Sequence, residues 1–136
     1  MTVRTLVYAD DNVESHESTD AASLRAARTA TGTTWTRASG VTEDELGRLS
    51  AAFGLHTLET EDVRSNVGPK VELFPDHTFV LVKTARLRGG ETTFEEEIRD
   101  QPVGLFFGHD WVVTIAVEET PAVETVWERV RREEPR

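Results

Sequence analysis

Glu59, Glu61 and Asp62 are the carboxylates of this sequence whose spacing could do chemistry. They fall on a short predicted helix, Thr57–Val63, that follows Gly54 at once. Glu59 and Asp62, three residues apart, share one side of such a helix. Asp62 also follows Leu58 by four, which sets it over an apolar neighbour and partly shields it. Glu61 points about 100° away. Hard cations such as Mg²⁺ take oxygen ligands, keep several waters and are held through one or two carboxylates. One helix supplies half of such a site, and the rest has to come from elsewhere. The same residues also read as the solvated face of an acidic helix in an acidic protein.

Other constellations are weaker. His16, His56, His77 and His109 include no pair at i, i+4, and no H-x-x-x-H or H-E-x-x-H occurs. Their expected role is that of polar residues in turns and at element ends. His109-Asp110 sits in a tight predicted turn that cannot orient both side chains on one substrate. There is no G-x-S-x-G, P-loop or G-x-G-x-x-G, and Gly89-Gly90 lies between strands instead of before a helix. Glu95-Glu96-Glu97 alternates faces on a predicted strand, so the three cannot grip one ion and instead blunt an edge with charge. The sequence has no cysteine, which removes disulfides, Cys-type zinc sites, iron–sulfur clusters and thiol nucleophiles. No nucleophile–base pair or cofactor signature remains, so the expectation is a protein that is not an enzyme.

The 136 residues fit one domain with its own core. Fifteen Lys+Arg against 25 Asp+Glu give a formal charge of −10, which disfavours binding to a phosphate backbone and excludes nucleic acid as an expected partner. Only Lys70 and Lys83 are lysines; the other 13 cations are arginines. Acid excess, few lysines and abundant threonine resemble proteins of salt-loving (halophilic) organisms. At molar salt the Debye length is about 3 Å, and surface carboxylates hardly repel one another. No stretch approaches the ~20 apolar residues that cross a bilayer, and MTVRTLVYADD lacks the apolar core of a signal peptide. The chain as given is expected to be soluble. ERVRREEPR carries no helix stop before Pro135, which reads as a chain cut from something longer.

These residues have to be positioned by a small set of elements. Thr5–Tyr8 reads as a strand ending at Asp10-Asp11, Val13–Ser18 as a polar edge strand, Asp20–Arg28 as a short helix and Trp35–Ala38 as a strand. Thr42 and Glu45 have capping-box spacing, Leu46, Leu49, Ala52 and Phe53 recur at helical spacing, and Gly54 suits the position after the last turn. Asn66–Pro69 ends the acidic helix. Strands are expected at Lys70–Phe74, His77–Leu87, Thr92–Arg99, Val103–Phe107 and Trp111–Val117, with Phe79-Val80-Leu81-Val82 apolar on both faces and therefore central. Thr120, as a capping hydroxyl, and Pro121 start a last helix whose Val123, Val126, Trp127 and Val130 form one stripe. The fold class is α/β: a mixed, largely antiparallel sheet flanked by helices on both faces, an α/β/α sandwich.

Phe53-Gly54-Leu55-His56-Thr57-Leu58, Glu61-Asp62-Val63, Pro69-Lys70-Val71-Glu72 and Phe79-Val80-Leu81 occur in that order. The set resembles the N-terminal cytoplasmic domain of the CorA family of Mg²⁺/Co²⁺ transport proteins, whose pattern is approximately F-G-I-H-P-L-x-L-E-D, a short gap, R-P-K-V-E and a hydrophobic strand. Thr5–Tyr8, Thr34-Trp35, Glu97-Ile98, Val103–Phe107, Trp111–Thr114 and Val123–Arg132 resemble the flanking strands and helix, so the likeness spans almost the whole chain. Thr57 stands where the family usually has Pro, Thr60 where it has Leu, and Gly68 where it has Arg; Thr60 makes that helix face more polar.

The resemblance implies a CorA soluble-domain fold over residues 1–136, a single cytoplasmic regulatory domain without the stalk helix and transmembrane region. It implies a homopentamer in the cell membrane with this domain on the cytoplasmic side, joined to the membrane only through the missing C-terminal helices. It implies that the carboxylates matching Asp62 and Glu61 bind a regulatory divalent cation shared between subunits, Mg²⁺ or alternatively Co²⁺, which holds the channel closed. The family's pore motif Gly-Met-Asn is absent, since the one methionine is Met1. Two alternatives stand beside this expectation: the cytoplasmic domain of a zinc-transporting member of the same superfamily, and a free-standing soluble binding module.

Overall fold

The computed structural model describes residues 2–9, 12–17, 20–29, 32–65, 67–87, 98–118 and 120–132. In chain order the elements are β1 (Thr2–Ala9), β2 (Asn12–Glu17), α1 (Ala21–Thr29), β3 (Thr33–Ser39), α2 (Glu43–Phe53), α3 (Thr57–Arg64), β4 (Lys70–Leu73), β5 (Thr78–Leu87), β6 (Ile98–Phe107), β7 (Trp111–Ala116) and α4 (Pro121–Arg131). The strands form one sheet in the order β2-β1-β3-β7-β6-β5-β4. All neighbours are antiparallel except β3 and β7, which run parallel and join the N-terminal strands to the meander. The sheet is therefore mixed and mostly antiparallel, as the alternation of strands and turns predicts.

Local chemistry explains where the helices begin and end. Thr42 Oγ1 accepts from the Glu45 N–H at 3.2 Å, while Glu45 Oε1 accepts from the Thr42 N–H at 2.8 Å, a complete capping box. Gly54 then closes α2 at φ 69°, a left-handed conformation that glycine adopts without the Cβ clash other residues meet.

The sheet carries apolar residues on both faces, and among the described residues helices cover one face fully and the other in part. On one face Val3, Ala38, Ile115, Gly104 and Leu81 lie in a single row of register partners. Leu24 of α1, Leu46, Leu49 and Phe53 of α2 and Val63 of α3 join that face in one buried cluster. Gly104 marks the closest approach: a Cβ there would overlap Val63 Cγ2, so the glycine is what lets α3 lie against β6. On the other face, Trp35 meets Trp127 of α4 edge-on at 4.8 Å between centroids, and buried Arg37 pairs with Glu124 of the same helix. Among the described residues, one helix therefore serves the second face where three serve the first.

Four expectations need correction. Thr120 does not cap α4 through its hydroxyl, which instead donates to the Glu118 carbonyl at 3.2 Å. The stripe on α4 is not uniformly buried: Trp127 is, but Val126 and Val130 are exposed. The break expected before Val103 does not exist, since β6 runs unbroken from Ile98 to Phe107. Pro102 is tolerated because β7 pairs only with Val103–Phe107, leaving that part of β6 a one-sided edge where a missing N–H removes no ladder bond. His77 is not a solvated turn residue but is buried. The Asp10-Asp11 and Gly89-Gly90 turns, Glu95-Glu96-Glu97, the rest of the expected strand over 92–97, and Pro135 lie outside the described residues.

Candidate functional site

The acidic helix α3 starts at His56, whose Nδ1 accepts from the Leu58 N–H at 3.1 Å. Glu59 Oε1 reaches back to the His56 N–H at 2.8 Å, so the first turn is capped from both directions. The same Glu59 carboxylate, 1% exposed, also receives His77 Nε2 at 3.0 and 2.8 Å. The other ring nitrogen, Nδ1, lies 2.8 Å from Asp76 Oδ1. A carboxylate only accepts, so the doubly protonated ring is the form that serves both partners at once. This hydrogen bond holds the Asp76 carboxyl below its ordinary range. Phe74 stacks on His77 at 4.9 Å and lies in parallel with His56 at 6.3 Å, closing the cluster with an apolar wall. Glu59 is thus part of the anchor that ties α3 to the turn before β5.

The two predicted ligands differ in what surrounds them. Glu61 is exposed, and among the described residues no ion pair or hydrogen bond holds its side chain. Asp62 is half-buried and engages the Lys70 ammonium. Lys70 also lies 2.8 Å from Glu72 Oε1. These two hydrogen bonds, Asp62 first, raise the Lys70 pKa above its ordinary value. Leu58 is 63% exposed, so the group set against Asp62 is Lys70 from β4 and not that apolar neighbour. Thr60, the departure from the family pattern, is buried and turns its hydroxyl back to the Thr57 carbonyl at 2.9 Å. It therefore adds no free polar group to the α3 face.

Sequence reasoning placed Glu59, Glu61 and Asp62 on one helix, and the structure keeps them there. It brings Asp62 to Lys70 and Glu72 and does not bring Glu59 into that group. Lys70 and Glu72 were missed as site neighbours, although Lys70-Val71-Glu72 on a strand puts both side chains on one face. Glu61, Asp62 and Glu72 offer hard oxygen donors of the kind Mg²⁺ takes. Among the described residues, however, no group of three or more histidine or acidic side chains is placed to hold a metal ion.

The model of the CorA-like Mg²⁺ transporter protein family matches residues 30–136. The chain belongs to that family. Manganese resistance protein MNR2 of Saccharomyces cerevisiae is 43% identical to this CorA-like chain over 51 residues, 37% of the chain and 5% of the yeast protein. The CorA magnesium transporter of Methanocaldococcus jannaschii superposes with a TM-score of 0.68 at 14% identity, over 100% of this chain and 38% of that one. The ZntB cytoplasmic domain of Vibrio parahaemolyticus gives 0.66 at 6% identity, over 97% of this chain and 50% of that one. The chain thus spans half or less of each of these relatives. At such identities the superpositions establish the fold, which is that of the CorA soluble domain. Among the described residues no helix is long and apolar enough to cross a membrane.

Proposed function

We propose that residues 1–136 form a single cytoplasmic regulatory domain of a divalent cation transporter in the cell membrane, which senses Mg²⁺ at Glu61 and Asp62 and gates transport without covalent chemistry. The observation that carries the reading is the pair of adjacent carboxylates on α3, one exposed and one at a half-buried rim, in a chain of the CorA-like family. Helix α3 is held rigidly by Val63 and Glu59, so the pair has a fixed position from which to meet a neighbour. Because two carboxylates are half of a Mg²⁺ site, the remaining donors come from an adjacent subunit of a homo-oligomer, a pentamer in the full-length protein. Such a shared ion stabilises the state in which the two halves face each other, and its departure releases that state. Co²⁺ is the alternative ion for the same carboxylates.

The test is a Mg²⁺ titration of transport current in the transporter carrying this domain, with Glu61→Ala and Asp62→Ala combined. Suppression by Mg²⁺ should shift to markedly higher concentration. Suppression at an unchanged concentration would falsify the sensing role. The ZntB-like fold raises zinc as a second cargo. The donors on α3 argue against zinc as the ion sensed here: they are hard carboxylates, no cysteine exists, and His56 and His77 are committed to capping and to the buried cluster. Zn²⁺ against Mg²⁺ flux in the same preparation separates the two.

A further inference from the structure

We propose that Lys70 is a tethered cation that competes with the divalent ion for Asp62, so that it sets how much Mg²⁺ the α3 site needs and keeps monovalent ions out of it. The inference rests on the reading of Asp62 as a metal ligand. Lys70 opens β4 at the edge of the sheet, and its ammonium touches Asp62 on α3 and Glu72 on its own strand. Side-chain exposures of 36% for Lys70, 21% for Asp62 and 40% for Glu72 put the cluster at a rim that ions reach from solvent. Two carboxylates against one ammonium leave a net negative charge there, and Glu61 stands beside it on α3.

Exchange then depends on charge. Na⁺ or K⁺ brings no more charge than the ammonium it must displace, and the ammonium is tethered by its own side chain. A dication doubles the attraction to each carboxylate. It takes Asp62 by pushing Lys70 toward Glu72, which keeps the released ammonium neutralised. Lys70 therefore weakens Mg²⁺ binding relative to bare carboxylates while excluding monovalent competitors. That distinction matters for a chain of charge −10 whose composition suits concentrated salt.

The sequence makes the test direct, because Lys70 and Lys83 are the only lysines. Lysine labelled with ¹³C at Cε gives two side-chain signals from the 136-residue chain, and because its half-site binds Mg²⁺ weakly the titration with MgCl₂ is carried to high concentration at constant ionic strength. The Lys70 signal should move and the Lys83 signal stay. Lys70→Met should bind Mg²⁺ about tenfold more tightly than the parent and become sensitive to KCl competition, while Lys70→Arg should restore weak binding. Lys70→Gln, which keeps a polar head on the edge strand, should repeat the Met result. Mg²⁺ affinity unchanged or weaker in both neutral variants, with Asp62→Asn still weakening the parent, overturns the inference and leaves the site reading standing. Binding in Asp62→Asn equal to the parent's removes Asp62 as a ligand, and the role of Lys70 with it.

Discussion

Glu59 carries two structural duties with one carboxylate: it caps α3 at the His56 N–H and it takes the buried His77 ring. Truncating it orphans both donors at once. Breaking a buried pair from one side costs about 3–5 kcal/mol. Glu59→Ala is therefore expected to lose about 3 kcal/mol in urea unfolding at neutral pH, and Glu59→Gln, which retains an acceptor, clearly less. Equal losses in the two variants would mean that the acceptor is not what matters. The same cluster has an acid limb. Asp76 is held below its ordinary value of 3.8 by the His77 hydrogen bond. Its contribution is present above the unfolded value and is lost as pH falls through the lower folded one, so Asp76→Asn should flatten the acid unfolding curve below about pH 4. The residue types of the site were legible because helical spacing fixes which carboxylates are neighbours. The partners were not, because Asp62–Lys70 and Glu59–His77 join residues whose proximity is decided by the packing of α3 on the sheet.

Gly104 shows how an element is placed by a missing atom. Its register partners Leu81 and Ile115 are large, and Val63 of α3 occupies the gap that a side chain on β6 would fill. Gly104→Ala drives a methyl into Val63 and toward the Phe79 and Phe106 rings. Overpacking of this kind costs about 1–3 kcal/mol. Because the strain falls on α3, the variant should also speed hydrogen exchange at α3 amides relative to those of α2. Destabilisation with unchanged relative protection would show that the strain is absorbed by the sheet instead. Elements governed by local chemistry were readable from the sequence: the Thr42–Glu45 box, the Gly54 stop and the double-sided run Phe79–Val82 all appear where expected. Those set by longer contacts were not. The expected strands stop at Arg99 and resume at Val103, and only the pairing with β5 and the end of β7 show why β6 passes through Pro102; the Thr120 hydroxyl had a competing carbonyl acceptor that spacing does not reveal.

At the scale of the molecule, the sandwich formed by the described residues is unequal. Helices α1–α3 close one face, while α4 leaves a groove of about 390 Å³ beside it, lined by Leu6, Tyr8, Trp35, Leu105, Val126 and Val130. On the same face, Leu73, Val82 and Phe107 are 81%, 37% and 38% exposed. Contiguous apolar surface of this kind promotes association, and the formal charge of −10 opposes it. Salt acts on both terms in the same direction, because it screens the carboxylates and leaves the apolar attraction in place. The isolated 136-residue chain is therefore expected to gain thermal stability and to self-associate as KCl rises from ~0.1 M to ~2 M, where the Debye length falls below about 3 Å. Leu73→Lys with Phe107→Lys should abolish the association while preserving the gain in Tm, since the second arises from charge spread over the whole surface. Sedimentation and thermal unfolding of the two chains across the salt series separate the terms. A double variant that associates as readily as the parent would move the contact elsewhere, and a parent whose Tm ignores salt would remove self-repulsion as a force acting on this fold.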